Sequence, residues 1–379
     1  MSELYKLPDG WEWKKISDTF KIKSGDFLPK KTMVESGNYN VYGGNGINGK
    51  HNEYNLSGEN IIIGRVGALC GNVRFVKEDI WITDNAFYVS EYKKEINKQF
   101  LTQFLSYIDL GKTANQAAQP VISYKSISQV YIPLPPLQEQ KRIITKLDTL
   151  FEKIDKAIAL HQKNMDEADA FMGSVLNEVF GELEERYENH QLGSLTKTTS
   201  GGTPKRNEKS YWGGSIGWLK SGELNDGYIT EVEEFITEDG LNKSSAKLFP
   251  EGTLLIAMYG ATVGRLGILN IETTTNQAIC AILNDKNKFE TLYMFYFLKK
   301  IREKMLKDSF GGAQPNISQT YIKELEVPLP PLDIQQKVVS YLDEISQKIE
   351  KVKAVQKEKM ESLKALKASI LDQAFRGEL

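Results

Sequence analysis

Few residues in this chain have the types and spacing that covalent chemistry needs. Pro8-Asp9 followed by Glu12-Trp13-Lys14 has the carboxylate, carboxylate, lysine order of a metal-dependent nuclease. Its two carboxylates lie only three residues apart, and the stretch reads as a surface turn. An amino-methyltransferase needs a polar residue ahead of Pro-Pro and an aromatic, to hold the exocyclic amine. Here both Pro-Pro pairs lie inside Leu-Pro-Pro-Leu, and Phe310-Gly311-Gly312 opens no dinucleotide-fold pattern. The three histidines, His51, His161 and His190, and the two cysteines, Cys70 and Cys280, are scattered, whereas a zinc site clusters its ligands. No Walker A loop is present. With every catalytic signature missing, the expectation is a protein that binds or targets and does not react.

The elements that would position a binding surface occur twice. Ala118-Gln119-Pro120-Val121-Ile122-Ser123 returns 195 positions later as Ala313-Gln314-Pro315-Asn316-Ile317-Ser318. Pro-Leu-Pro-Pro-Leu follows at 133–137 and 328–332, then a long polar-apolar run to Phe180-Gly181 and to Phe375 and Gly377. Repetition on this scale implies a duplicated architecture. In the first run Ile144, Leu147, Phe151, Ile154, Ile158, His161, Met165, Ala168, Met172, Val175 and Val179 recur in steps of three and four. In the second the stripe is Val338, Leu342, Ile345, Ile349, Val352, Gln356, Lys359, Leu363, Leu366 and Ile370. Such spacing is a coiled-coil seam, with His161, Gln356 and Lys359 as polar intruders. First-turn prolines suit the starts, and Gly181 and Gly377 suit the stops. Each helix should be about 43 residues, roughly 65 Å long. A seam that long needs a partner. The expectation is that the two helices pair antiparallel; two solvated helices, or seams that dimerise with other chains, are the alternatives.

The chain has 379 residues, 40% hydrophobic and 26% charged, ordinary for a globular protein. Two far-separated cysteines in apolar runs read as buried thiols of a reducing compartment, the cytoplasm. The first residues carry no signal-peptide pattern, and no apolar run is long enough to span a membrane. Net charge is −2. Residues 1–136 carry 16 Lys+Arg and 14 Asp+Glu; residues 182–331 carry 17 and 20. Composition by itself does not point to nucleic acid, so any such face must come from local clustering.

The expected organisation is mixed α/β: a first domain over 1–136, a spacer helix over 137–181, a second domain over 182–331 and a second helix over 332–379. In the first domain strands are expected over Lys15–Lys23, Ile61–Ile63, near Val73–Val76 and over Trp81–Val89. A Gly/Asn-rich loop is expected over Tyr42–Gly49 and a helix over Phe100–Tyr107. The second should repeat the order, with strands at Gln191–Thr199 and Leu254–Ala257, and a helix at Leu292–Leu306. Thr275-Asn276-Gln277-Ala278 is expected to stand where Thr83-Asp84-Asn85-Ala86 stands. A shared scaffold with divergent loops suits a protein that reads two different targets.

Taken in order, these features resemble the specificity subunit of a Type I DNA restriction–modification system, over essentially the whole chain. The resemblance rests on Leu7-Pro8-Asp9-Gly10-Trp11-Glu12-Trp13 with Ser24-Gly25 beyond it and on the repeated Ala-Gln-Pro-x-Ile-Ser. It rests also on the Leu-Pro-Pro-Leu helix starts, on Ser200-Gly201-Gly202-Thr203-Pro204 and on the terminal Ala374-Phe375-Arg376-Gly377-Glu378-Leu379. It implies a non-catalytic subunit with two target-recognition domains related by a pseudo-twofold axis. Each domain reads half of a split, asymmetric double-stranded DNA sequence, and an antiparallel coiled coil serves as ruler and docking platform. The implied partners are two modification (methyltransferase) subunits, which use S-adenosylmethionine, and ATP- and Mg-dependent restriction subunits that translocate and cleave. The chain itself would hold no cofactor and meet no membrane. The competing readings are a coiled-coil scaffold that holds two protein-binding domains apart without touching DNA, and a fused enzyme with an unrecognised site.

Base edges are read by Arg at guanine and by Asn or Gln at adenine. On Gly-rich loops of the first domain the candidates are Lys23, Ser24, Gly25, Asn45, Asn48, Lys50, Arg65 and Asn85. In the second they are Thr203, Lys205, Arg206, Lys220, Tyr259, Arg265 and Gln277. Gln119 and Gln314 occupy equivalent places, which suits a shared role such as phosphate contact or packing.

Overall fold

A computed structural model describes residues 5–115, 118–285, 287–309 and 315–379; Ala313, Gln314 and the Phe310-Gly311-Gly312 stretch lie outside the described residues. The chain divides into two compact units, residues 1–161 with 357–379, and residues 162–356. No helix among the described residues is long and apolar enough to cross a membrane.

The first unit opens with β1 (Glu12–Lys15), α1 (Ile16–Thr19) and β2 (Phe20–Ser24). The expected single strand over Lys15–Lys23 is thus broken by a helical turn, in which the Thr19 hydroxyl bonds back to the Ile16 carbonyl. The expected loop over Tyr42–Gly49 is mostly a hairpin, β3 (Tyr39–Gly43) and β4 (Gly46–His51) around a Gly44-Asn45 turn. There follow β5 (Asn60–Gly64), β6 (Val73–Val76), β7 (Ile80–Ile82) and β8 (Ala86–Tyr92). Trp81–Val89 is therefore two strands, because Thr83-Asp84-Asn85 turn the chain and the Ala86 N–H bonds the Thr83 carbonyl. The unit continues with α2 (Lys98–Tyr107), α3 (Tyr124–Ser128), β9 (Tyr131–Leu134) and the start of α4 (Leu137–Arg186). Sheets run β2-β8-β5-β6 and β4-β3-β7, with β1 paired to β9. Ile61, Ile63 and Phe87 of the larger sheet pack on Phe100, Leu101 and Phe104 of α2 and on Leu147 and Phe151 of α4.

The second unit repeats the plan. It holds β10 (Asn189–Gln191), α5 (Leu192–Leu195), β11 (Thr198–Ser200), β12 (Trp212–Leu219), β13 (Gly227–Ile229) and β14 (Glu234–Ile236). Next come α6 (Glu238–Asn242), β15 (Leu248–Phe249), β16 (Leu254–Ala257), β17 (Leu266–Leu269), β18 (Thr273–Thr275) and β19 (Ile279–Ile282). Finally come α7 (Thr291–Lys300), α8 (Arg302–Asp308), α9 (Gln319–Lys323), β20 (Glu326–Pro328) and α10 (Leu332–Arg376). Its sheets run β11-β19-β16-β17-β13 and β14-β12-β18-β15, with β10 paired to β20. A helical turn again breaks the strand expected over Gln191–Thr199, and the helix expected over Leu292–Leu306 is divided at Ile301.

The two long helices pair antiparallel within each unit. In the first, Arg142 donates to the Leu379 carbonyl at 2.7 Å and Lys367 meets Asp155 at 2.8 Å. In the second, Lys353 meets Asp169 at 2.8 Å and Asn164 reaches Gln356 at 3.5 Å. Gly181 does not stop α4, which runs on through Glu182-Leu183-Glu184-Glu185-Arg186 because those residues favour helix and Leu183 is buried. Gly377 does follow the end of α10, with φ of +77°.

The stripe on α10 departs from expectation beyond Ile349. Val352, Leu366 and Lys359 are exposed, and the half-buried positions are Lys353 and Gln356 in the second unit and Met360, Leu363 and Lys367 in the first. The seam steps by four after Ile349, where apolar spacing alone suggests three. Two lysines occupy seam positions because their alkyl stems lie along the interface while their ammonium groups find Asp155 and Asp169. Lys367 also lies 4.6 Å over the Phe151 ring.

Candidate nucleic-acid interface

In the first unit five loop segments meet. At the end of β2 the Gly25 N–H donates to the Ala86 carbonyl at 3.2 Å, and a Cβ on Gly25 would stand 2.1 Å from the Ile82 oxygen. The hairpin turn is as tight, since a Cβ on Gly44 would stand 2.2 Å from the Val66 oxygen. The Arg65 N–H donates to Asn85, the Gly67 N–H to Pro120 and the Ile122 N–H to Arg65, each at 2.9 Å. Ser24, Gly25, Asn45, Arg65 and Asn85 are thereby gathered, and Asn45 and Asn85 are exposed. Lys23 is exposed on β2 beside them. Asn48 and Lys50 instead run down β4, and Lys50, opposite Asn40, is about 13 Å of strand from Gly46. The Arg65 guanidinium is partly committed, donating to the Asp84 carbonyl at 3.2 Å and lying 5.4 Å over the Phe87 ring.

The second unit builds the same frame. Gly201 N–H donates to Ile279 at 3.2 Å and Gly202 N–H to Thr275 at 2.9 Å. Gly260 N–H donates to Pro315 and Ile317 N–H to Met258, both at 2.9 Å, and Met258 N–H to Ala278 at 2.8 Å. Thr203 is hydrogen-bonded to the Gln277 side chain, and Tyr259, 40% exposed, forms an isolated antiparallel bridge with Asn316. These three candidates are brought together. Lys205 is exposed, with its carbonyl fixed by the Trp212 indole N–H at 3.2 Å. Arg265 stands exposed where β17 begins, its N–H bonded to the Thr262 carbonyl. Arg206 and Lys220 are occupied by carboxylates, Glu234 for the first and Glu233 and Glu234 for the second. The bond from Arg206, joined by that from Lys220, holds the Glu234 carboxyl below its ordinary range although burial works the other way.

These bonds account for the repeated Ala-Gln-Pro-x-Ile-Ser. In each copy the proline carbonyl accepts from a loop glycine, and the isoleucine N–H donates back to the same loop. The serine then caps a short helix, Ser123 accepting from the Ser126 N–H and Ser318 from the Tyr321 N–H, at 3.0 Å each. The same bonds correct one alignment. Thr83 N–H donates to Tyr42 and Asn276 N–H to Leu219, so Asn276, not Thr275, corresponds to Thr83. Gln277 therefore stands where Asp84 stands, and Met258 where Arg65 stands. A one-residue slip in a run of short polar residues leaves no trace in composition; only the ladder fixes it.

Two basic residues at these loops escaped the sequence reading. Arg74 donates to the Asn45 carbonyl at 3.0 Å and covers Gly46. Lys247 donates to the Ser200 carbonyl at 3.2 Å and to the Thr199 hydroxyl. Arg74 hides inside a strand pattern; Lys247 ends the polar stretch Asn242-Lys243-Ser244-Ser245-Ala246-Lys247, the one signal that could have drawn attention. Among the described residues no three His, Cys, Asp or Glu side chains form a metal site. Cys280 is buried, which pushes its thiol up to about 12.

Two loop clusters on the same hydrogen-bond frame, each carried by an α/β unit and an antiparallel helix pair, define a protein of duplicated architecture. A family profile described as the type I restriction modification DNA specificity domain matches residues 8–164 and again 184–361, and the chain belongs to that family. It is 32% identical over 173 residues to the MjaIX specificity subunit of a type I restriction enzyme from Methanocaldococcus jannaschii, an alignment covering 44% of this chain and 40% of that protein. The chain thus spans about two fifths of the length of that relative. It is 25% identical over 362 residues to a putative type I restriction enzyme specificity subunit of Haemophilus influenzae, covering 90% of this chain and 89% of that one. A solved chain from a study of complex assembly and conformational transition of the type I R-M system matches its fold with a TM-score of 0.76. The identity is 22%, with 99% of this chain and 100% of that chain covered.

Proposed function

We propose that this chain is the non-catalytic DNA-specificity subunit of a Type I restriction–modification complex. Each unit reads one half of a bipartite, asymmetric double-stranded target through its loop cluster. The observation that carries this is the family match falling twice on one backbone frame with different side chains at the loops: Asn45, Arg65 and Asn85 in one copy, Thr203, Tyr259 and Gln277 in the other. The helix pair sets the gap between half-sites and docks two methyltransferase subunits, through which restriction subunits join, all in the cytoplasm. S-adenosylmethionine, ATP and magnesium belong to those partners. The test is a methylome of host cells with and without the gene. Loss of adenine methylation from one split, asymmetric motif is expected. An unchanged methylome, together with failure to co-purify with a methyltransferase subunit, would leave the protein-binding scaffold as the better reading.

The spacing role has its own test. Deleting four residues of α4 near Glu152, with four opposite them in α10 near Lys367, shortens the pair by about 6 Å. The gap in the methylated motif should shrink by one or two base pairs, at ~3.4 Å each. A motif with its gap unchanged refutes the ruler.

A further inference from the structure

The second unit holds two of its four basic candidates, Arg206 and Lys220, in a way that opposes general attraction for DNA. Arg206 lies 4.0 Å over the Trp212 ring and 4.4 Å over the Trp218 ring, and its free edge is paired with Glu234. Lys220 Nζ is 2.9 Å from Glu233 and 3.1 Å from Glu234. Glu223 accepts from the Lys220 N–H at 2.9 Å and the Glu233 N–H at 3.0 Å, which fixes the backbone carrying both charges. The cluster sets two cations against three carboxylates. The loop from Gly202 to Arg206 is tied to the same place, because the Trp218 indole N–H donates to the Gly202 carbonyl at 2.9 Å and that of Trp212 to Lys205. In the first unit, Asn45, Arg65 and Asn85 stand beside Lys23, which helps hold the Glu91 carboxyl low from a distance, and Arg74, which donates to the Asn45 carbonyl at 3.0 Å.

Ion pairs as exposed as Lys220–Glu233, with side chains 34% and 70% accessible, add little to folding stability. Their effect on a polyanion is larger. A free Lys or Arg beside a duplex adds sequence-independent affinity through counterion release, and non-target sites share that gain. The gain is full on a non-target duplex, where binding is essentially all electrostatic and the protein settles wherever a cation meets phosphate. It is partial at the target, where base contacts fix the register; cancelling it therefore raises the ratio of target to non-target binding.

We propose that Glu233 and Glu234 are specificity-determining residues of the second unit: by neutralising Arg206 and Lys220 they suppress non-specific phosphate binding, leaving Thr203, Lys205 and Gln277 to decide the half-site. This rests on the DNA-reading function proposed above. The test compares the full chain with Glu233→Gln/Glu234→Gln, binding a labelled non-target duplex and a duplex carrying the methylated motif, over roughly 50–200 mM salt. The variant should bind the non-target duplex several-fold more tightly. Its log–log salt slope should steepen by about one to two, near one for each released cation, and its target to non-target ratio should fall. Adding Lys220→Gln and Arg206→Gln should abolish the increment. An unchanged slope, an unchanged ratio, or an increment that survives the added substitutions overturns the proposal while leaving the DNA-reading function intact. A parent chain with no salt-dependent binding to either duplex overturns that function and the proposal with it. If the double variant fails to fold, Glu233→Gln alone serves, since that side chain is mostly exposed; its slope should steepen by up to one, and no change counts against the proposal.

Discussion

Phe375 closes the first unit, and its removal should be felt there and not in the second. The side chain is fully buried, with its ring centroid 5.6 Å from Phe100, 5.0 Å from Phe104 and 5.3 Å from Tyr107. Its carbonyl accepts from the Tyr5 hydroxyl at 2.6 Å, and Tyr107 bonds Asp372 one turn earlier. Phe180 is its counterpart in the second unit, 5.3 Å from Tyr293 and 5.6 Å from Phe297. Deleting a buried Phe ring costs about 3–5 kcal/mol. Three aromatic neighbours, each pairing worth about 0.5–1.5 kcal/mol beyond area, place Phe375→Ala toward the upper end. With a urea slope of about 1–3 kcal/mol per molar, the midpoint for the first unit should fall by on the order of 2 M. Hydrogen exchange read by peptide supplies the location. Phe375→Ala should release protection in β5, β8 and α2, and Phe180→Ala in β16, β19 and α7. A loss below about 1 kcal/mol, or lost protection in the wrong unit, refutes the account of why each copy of the repeat ends in Phe.

Four further outcomes follow from the same structure. Gly44→Ala puts a Cβ 2.2 Å from a backbone oxygen, so the hairpin turn must move and recognition of one half-site should fail while the other is retained; a normal motif in the methylome counts against it. Gly173→Ala and Gly181→Ala place a methyl where nothing lies within 4 Å inside α4; each should stabilise by about 0.5–1 kcal/mol in urea melts, and destabilisation by either would contradict the helix assignment. Asp226 is partly buried, which raises its pKa, but two bonds from Arg302 and one from the Leu266 N–H outweigh this and hold the carboxyl low. A depressed folded pKa stabilises above the unfolded value, about 3.9, and that stability is lost as pH falls through the folded value. Asp226→Asn should therefore cost about 1–3 kcal/mol at neutral pH, and the gap to wild type should close only in acid below about pH 4; a gap independent of pH refutes the pairing. The Cys280 thiol, raised to about 12 by burial, should resist alkylation in the native protein and react on unfolding; prompt native labelling at Cys280 would show the β16–β19 core to be open.

The chain itself determined the duplication, the long helices and the strands with one dominant pattern. Ile61–Ile63 and Leu254–Ala257 are buried on both sides, and an uninterrupted β-branched or aliphatic run says so without context. The start of each long helix was equally plain, because Leu-Pro-Pro-Leu suits only a first turn. What local pattern could not decide was phase and pairing. Beyond Ile349 the seam moves onto Lys353 and Lys367, residues that look polar in a list of letters. Their place depends on carboxylates about two hundred positions away. The candidate interface divides on the same line. Loop glycines and the Pro-x-Ile pairs marked where backbones must approach closely, and the structure gathers Asn45, Arg65 and Asn85, and Thr203, Tyr259 and Gln277, around them. Whether Arg206 and Lys220 present free charge or bonded charge was decided only by folding, when β14 brought Glu234 alongside β12 and Glu233 beside it. Propensity and periodicity are properties of neighbours along the chain, whereas an ion pair or a ladder register is a property of residues made neighbours by the fold.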